Sequence, residues 1–268
     1  MSLNIVVCIK QIIDPEIPVS QFKIDPGTKR QVQGNHSLVI SPYDSNALEV
    51  AIQLKEKQGG KVTAISVGGA AATTALKSAL SMGADEAILV SDPVIEGWDQ
   101  QGIAHLLARA IQKAGAYDLI LTGCESGDWA DRAVPPFIAE ELQIGYVGFV
   151  SRIEAKDGQV VMRRIVEDGY ELIEAKAPVL ASITSDETNT PRYPKLKDIM
   201  AAGKKTIPTW KAVDLRLDSE RVGAAAVRVA ITDVHVPVKE SKCEMIEGDT
   251  PAEQAAKLAA RLRELKLL

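Results

Sequence analysis

The chain has 268 residues, 46% apolar, 25% charged and only 4% aromatic, with a formal net charge of −5. That size fits one large globular domain, or one with appendages, and the acidic balance excludes the basic footprint of a nucleic-acid-binding protein. Cys8, Cys124 and Cys243 form no CxxC pair and no metal spacing, which suits a reducing compartment. No run approaches the roughly 20 apolar residues of a membrane span, and strand-like sequence begins at the third residue, leaving no room for a signal peptide. A cytoplasmic protein is expected.

LNIVVCI (3–9) is a continuous β-branched run, the pattern of a strand buried on both faces. Residues 15–40 mix Pro, Gly and charge and predict a hairpin or extended excursion. Ser41-Pro42-Tyr43-Asp44 is a helix start, with Ser41 able to cap, Pro42 at the first helical position and Asp44 able to close a capping box. Ala47, Val50, Ala51 and Leu54 follow at helical spacing, and Gly59-Gly60 stops the helix. KVTAISVGG (61–69), EAILVSD (86–92) and YDLILTG (117–123) are further strands. Between them lie two helical stripes, Ala72, Ala75, Leu76, Ala79 and Leu80, then Ile103, Leu106, Leu107, Ala110 and Ile111. This alternation predicts an α/β fold, an open parallel sheet with helices on both faces.

After YDLILTG comes a loop of small and charged residues, then a helix opened by Pro135 and Pro136 that carries Phe137, Ile138 and Leu142 toward a core. From residue 146 to 184 the apolar pieces shorten, with Asp157-Gly158 and Asp168-Gly169 as hairpin turn signals. Antiparallel strands extending one sheet edge are predicted. From Ser185 to about Asp249 periodicity is poor, which suggests an arm lying on a partner. Thr250-Pro251-Ala252-Glu253 is a second capping box, and Ala255, Leu258, Ala259, Leu262 and Leu265 form a last amphipathic helix. The expected organisation is a nucleotide-binding α/β domain with antiparallel edge hairpins over 1–184, then a recognition loop, arm and C-terminal helix over 185–268.

Ligands of open α/β sheets bind beyond the carboxyl ends of the strands, near a topological switch point. The loops placed there are 8–14, 67–70, 91–97 and 123–134. None contains GxGxxG or a Walker loop, and no GxSxG nucleophile elbow is present. His36, His105 and His235 are scattered, and Cys8 and Cys124 read as small buried thiols. Glu125, Asp128 and Asp131 suit either acid–base work or hydrogen bonds to ribose hydroxyls. Arg132, just before a helix, is placed for a bidentate phosphate contact. No group of residues reads as a catalytic machine.

Five stretches then converge on one family: VVCIKQIID, SPYDSNALEVAIQLKEK, AISVGGAAATTALKSALSMGADEAILV, GCESGDWADRAVPPFIAEEL and APVLASITSDETNTPRYPKLKDIMAAGKK. Across essentially its whole length the chain resembles the β subunit of electron transfer flavoprotein, the FixA family. The most specific piece is Pro191-Arg192-Tyr193 followed by LKDIMAAGKK, for which generic structure offers no reason.

The resemblance implies an electron carrier subunit, not an enzyme, in a heterodimer whose α subunit carries most FAD contacts. It also implies a dehydrogenase docked through residues 184–195 and a quinone, ferredoxin or other acceptor downstream. The subunit itself would hold AMP or, as in electron-bifurcating members, a second FAD. Family positions for that nucleotide fall on Cys8, on Ser41, Pro42, Tyr43 and Asp44, and on Val67. They also cover the loop Gly123, Cys124, Glu125, Ser126, Gly127, Asp128, Trp129, Ala130, Asp131, Arg132, Ala133 and Val134.

Two departures shape the expectation. Many members read Asp-Gly-Asp-Thr-Ala-Gln in the loop; here Asp128 matches but the Thr and Gln do not, so Arg132 and the helix N-terminus would substitute. Bulky Trp129 and Arg132 favour AMP over FAD. In dehydrogenase-linked members a leucine shortly before Asn-x-Pro-Arg-Tyr plugs into the partner; Thr188 stands there, with one extra residue, which implies a different partner or weaker docking. The alternative reading is an independent adenine-nucleotide-binding protein or enzyme of related fold, without flavin.

Overall fold

The computed structural model describes residues 2–95, 97–156, 159–217, 221, 226–237 and 243–268. The first strand, β1 (Leu3–Cys8), has alternate side chains serving two different cores. Leu3, Ile5 and Val7 join one cluster, and Val6 and Cys8 join the other. A strand covered on both faces must read as an unbroken apolar run. Four short strands follow, β2 (Gln11–Ile13), β3 (Ile24–Asp25), β4 (Arg30–Gln31) and β5 (Leu38–Ile40). β2 pairs with β5 and β3 with β4, both antiparallel, so residues 15–40 form the expected excursion.

The expected alternation is then realised by α1 (Pro42–Gln58), β6 (Gly60–Val67), α2 (Thr73–Met82) and β7 (Glu86–Val90). It continues through α3 (Gln100–Ala114), β8 (Leu119–Gly123) and α4 (Val134–Leu142). The apolar stripes of α1 and α2 bury with Leu3, Ile5 and Val7 on one face, while those of α3 and α4 bury with Val6 and Cys8 on the other. Fully burying one such Leu or Ile contributes about 1.5–3 kcal/mol. Phe137 departs from expectation: α4 turns Ile138, Ala139 and Leu142 inward, and Phe137, about 100° round the helix from Ile138, stays 40% exposed.

β9 (Gly145–Lys156), β10 (Gln159–Val166) and β11 (Gly169–Lys176) are successive antiparallel strands, as expected. Asp157-Gly158 lies outside the described residues. The segment 179–183 departs. β12 (Val179–Ile183) is parallel to both β8 and β9 and inserts between them. The physical reason is readable in burial: all five β12 residues are buried, the mark of an interior parallel strand, whereas β11 is exposed almost throughout.

The region after Ser185 also holds more regular structure than periodicity indicated. α5 (Leu196–Lys204) packs on α2, and β13 (Thr209–Trp210) adds a parallel edge strand to β7. The final helix, α6 (Pro251–Glu264), is capped by Thr250 as expected, but the return bond of the expected capping box falls one residue early. The Thr250 side chain accepts from Glu253 N–H, and Glu253 accepts from Asp249 N–H. None of its residues is buried.

The sheet order is β11-β10-β9-β12-β8-β1-β6-β7-β13. Every neighbouring pair from β9 to β13 is parallel. The chain winds from β1 through β6 to β7, then crosses back to β8 on the other flank of β1. The switch point therefore lies between the carboxyl ends of β1 and β8. Among the described residues no helix is long and apolar enough to cross a membrane.

Candidate functional site

The start of α1 reaches into this switch point. Ser41 and Pro42 occupy the cap and first positions as expected, but the Ser41 side chain does not cap the helix. Instead the Asp44 carboxylate accepts from Lys10 N–H, just past β1, and from Gly123 N–H at the end of β8, each at 2.8 Å. Ser41 Oγ accepts from Gly127 N–H at 3.1 Å. The capping-box signal was thus correct about the helix start and wrong about where its oxygens point. One helix terminus ties both strand-end loops together.

Glycines at two of the contact points allow this approach. A Cβ on Gly123 would lie 2.6 Å from Asp44 Oδ1 and 2.8 Å from Tyr43 Cβ. One on Gly127 would lie 3.0 Å from both Ile12 Cδ1 and Pro42 Cδ. The loop beyond is wound tightly. Ala130 N–H donates to Ser126 O at 2.9 Å, and Ala130 and Arg132 sit at φ 53° and 57°. Two left-handed non-glycine residues in one short loop store strain of the kind that clusters at functional sites.

Each acid of the loop is already matched. Asp128 accepts from Lys10 Nζ at 2.7 Å, Asp131 from Gln100 Nε2 at 2.5 Å, and Glu125 from Arg132 Nε at 2.5 Å. The Arg132 guanidinium also lies over the Phe149 ring, 5.4 Å from its centroid. Trp129, in the same loop, is 38% exposed. Ala133 is the cap residue of α4 and supplies no side-chain cap, and no acid follows in the first turn from Val134. Of the first three positions of α4 only Val134 carries an N–H, because Pro135 and Pro136 have none, and Phe137 N–H already donates to Ala133 O at 3.3 Å. What the terminus offers is that one amide and the positive end of the helix dipole.

Burial sets the electrostatics. Asp44 is almost fully enclosed, and burial pushes its carboxyl up to about 7, against the lowering pull of the two backbone N–H groups. The Cys8 thiol is raised by burial and then by the Asp44 charge. Burial, then Glu125, raises Cys124, whose N–H donates to Ile183 O at 2.8 Å. Tyr43 is likewise raised by burial first. The raised Cys8, Cys124 and Tyr43 are not activated nucleophiles, and both oxygens of Asp44 are engaged by backbone amides, which makes it a positioning group.

Cys8, Ser41, Pro42, Asp44 and the Gly123–Asp128 stretch are thus brought together at the carboxyl ends of β1 and β8. Val67 ends β6, on the other flank of β1. Sequence reasoning overlooked Lys10, Gln100 and Phe149. Lys10 lies inside the strand-end loop 8–14 and could have been found there. Phe149 sits beside a register shift in β9, which no sequence signal announces.

A doubly wound α/β fold with loops tied together at the switch point defines the broad class: an open-sheet α/β protein, an architecture whose ligands generally bind beyond the strand ends. Residues 32–215 match the electron transfer flavoprotein domain. The chain is 39% identical to electron transfer flavoprotein subunit beta of Thermoanaerobacterium thermosaccharolyticum, over 92% of this chain and 93% of that one. It is 34% identical to the caffeyl-CoA reductase–Etf complex subunit CarD of Acetobacterium woodii (99% and 100%). It is also 34% identical to protein FixA of Azotobacter vinelandii (92% and 89%). The chain belongs to the electron transfer flavoprotein family, in its β-subunit (FixA) branch, a family of electron carriers.

Proposed function

We propose that this chain is the β subunit of a heterodimeric electron transfer flavoprotein and holds an adenine nucleotide, AMP, at the crevice between β1 and β8. The observation that carries the reading is the double tie made by Asp44, which fixes the loops after β1 and β8 in one orientation. The positive end of the α4 dipole and the single Val134 N–H suit a phosphate, and Arg132 just before the helix supplies a cation. Asp128 and Asp131 suit ribose hydroxyls. The exposed Trp129 and the Arg132–Phe149 stack put bulk into this loop, which favours AMP over a second FAD.

FAD, shared with the α subunit, supplies the electron chemistry when bound. The residues of this chain bind and orient; none need act as acid, base or nucleophile. Residues 1–184 form the nucleotide-binding unit. Residues 184–195 dock a dehydrogenase, and the later arm with α6 packs on the α subunit, consistent with a helix that buries nothing in its own chain. A quinone, ferredoxin or other redox protein would accept the electrons.

Co-expression with a neighbouring α-type chain is the test. A yellow, FAD-bearing heterodimer that releases AMP on denaturation is expected. A colourless homodimer that never recruits an α subunit would overturn the reading, and released FAD in the second position would overturn the choice of AMP.

A further inference from the structure

β9 carries one more residue than its pairing with β12 needs. Ala181 pairs with Val147 and Ile183 with Val150, so two steps along β12 oppose three along β9. An extra residue of this kind is a β-bulge, a device that re-aims a side chain and recurs beside functional sites. Where a bulge needs a left-handed residue, glycine normally fills it. Gly148 stands one residue earlier, yet the left-handed position, φ 57°, falls on Phe149. A bulky residue in that conformation is an outlier and carries strain that glycine would not. Burial of the ring does not account for the choice, because Phe149 stays 37% exposed.

What the strained residue meets is Arg132. The guanidinium lies over the Phe149 ring, and Arg132 is itself left-handed at φ 57°. One residue comes from the loop after β8 and the other from the bulge of β9, and both hold a backbone conformation that side chains disfavour. The Arg132 side chain is exposed, and its Nε is engaged by Glu125. Among the described residues its two Nη groups make no hydrogen bond. A guanidinium held at Nε alone can still turn about its long side chain. A ring against its flat face fixes the plane and leaves the Nη edge open, the edge that pairs with a phosphate.

We propose that Phe149 is a positioning residue: its ring, aimed by the β9 bulge, holds the Arg132 guanidinium so that the Nη edge faces the phosphate of the bound nucleotide. This role rests on reading the Gly123–Val134 loop as the AMP site, and it adds a residue from outside every strand-end loop. Phe149 touches no ligand. It acts through Arg132 and sets the preference for a phosphorylated ligand over the bare nucleoside. A cation–π contact at an exposed site corresponds to a factor of about two to five in affinity.

The test is calorimetric titration of the full chain, freed of bound nucleotide, with AMP and separately with adenosine. The readout is the ratio of the two affinities. Phe149→Leu keeps the apolar bulk and the same backbone demand but has no π face. It should lower the AMP-over-adenosine ratio about two- to fivefold, with adenosine affinity and melting temperature close to the parent. Phe149→Tyr keeps the face and should restore the parental ratio. Arg132→Gln should lower the ratio by itself, and adding Phe149→Leu to it should change nothing more, since the ring then has no guanidinium to hold. A packing role predicts a different pattern: AMP and adenosine weakened alike, with the Leu effect persisting in the absence of Arg132. That pattern overturns the proposal. An unchanged ratio in Phe149→Leu also overturns it and leaves the AMP site standing. A parent chain that binds neither compound, or both equally, overturns the AMP reading and the role of Phe149 together.

Discussion

Asp44 and Gly123 are 79 residues apart in the chain and joined by a 2.8 Å hydrogen bond from the Gly123 amide to Oδ1 of Asp44. The same oxygen lies 2.6 Å from where a Cβ on Gly123 would stand. The contact that fixes the loop thus also forbids a side chain there. Gly123→Ala should push α1 away from the end of β8, with a loss of about 1–3 kcal/mol by overpacking and a fall in bound nucleotide. Urea unfolding together with quantitation of released nucleotide checks this. A variant as stable and as loaded as the parent would show that the helix start has slack to spare.

Asp44 makes stability depend on pH in an unusual direction for a carboxylate. Its carboxyl titrates near 7 in the folded chain against an ordinary value of 3.8, because burial disfavours the charge. Between these values the folded state holds a proton that the unfolded state has released. The contribution of Asp44 is therefore fully present below about 3.8 and lost as pH rises through about 7. Asp44→Asn should remove that slope from the difference between variant and parent. It should also cost about 1–3 kcal/mol, since one backbone N–H then faces an amide NH₂. Chemical denaturation at a series of pH values from 4 to 8 reads both effects.

Exposed Arg132 and largely covered Glu125 form an ion pair within the Gly123–Val134 loop. On the proposed reading a phosphate competes with Glu125 for the guanidinium. Arg132→Gln should therefore reduce retained nucleotide severalfold with little change in melting temperature, while Glu125→Gln should leave retention equal or higher. Nucleotide content unchanged in Arg132→Gln would remove Arg132 from the site.

Much of this was legible in the residues, and where it was not the reason is physical. The strands of the parallel sheet announce themselves because burial on both faces requires unbroken apolar runs, as in LNIVVC and LILTG. The switch-point loops follow from that order. What stayed hidden depends on partners remote in sequence. Ser41 and Asp44 spell a capping box, yet the Lys10, Gly123 and Gly127 amides compete for their oxygens and win. VLASI reads like any short apolar strand, and only its total burial assigns it to the interior of the sheet. PRY followed by LKDIMAAGK looked unmotivated; it is an arginine clamp on α1 followed by a helix on α2.

That clamp gives a prediction with the opposite pH sense to Asp44. Arg192 holds Glu49 through Nε and Nη2, each at 2.9 Å, and Glu56 through Nη1 at 2.5 Å, while its own N–H also reaches Glu49. Burial alone would raise Glu49, but hydrogen bonds from Arg192 and Gln53 outweigh it and hold the carboxyl below its ordinary 4.5. The contribution is present above 4.5 and lost as pH falls through the depressed value. Arg192→Gln leaves a buried carboxylate without its cation and should cost about 3 kcal/mol at neutral pH. The double variant E49Q/R192Q should recover part of that loss. Melting curves at pH 7 and pH 4 separate the cases, and a double variant worse than R192Q would refute the clamp.

The last helix offers the cleanest separation of folding from assembly. α6 is well capped, yet Leu258 is 46% and Leu265 49% exposed, and no residue of the helix is buried. An apolar stripe left in water on a formed helix gains stability only when another surface covers it. If that surface is the α subunit, Leu258→Asp with Leu265→Asp should leave the melting temperature of the isolated chain within a degree or two, because nothing packed is lost. The same pair should abolish or strongly weaken heterodimer formation in size-exclusion chromatography and lower the flavin recovered with the complex. Unimpaired assembly with full flavin would mean that α6 is not the docking element and that pairing rests on the sheet edge alone.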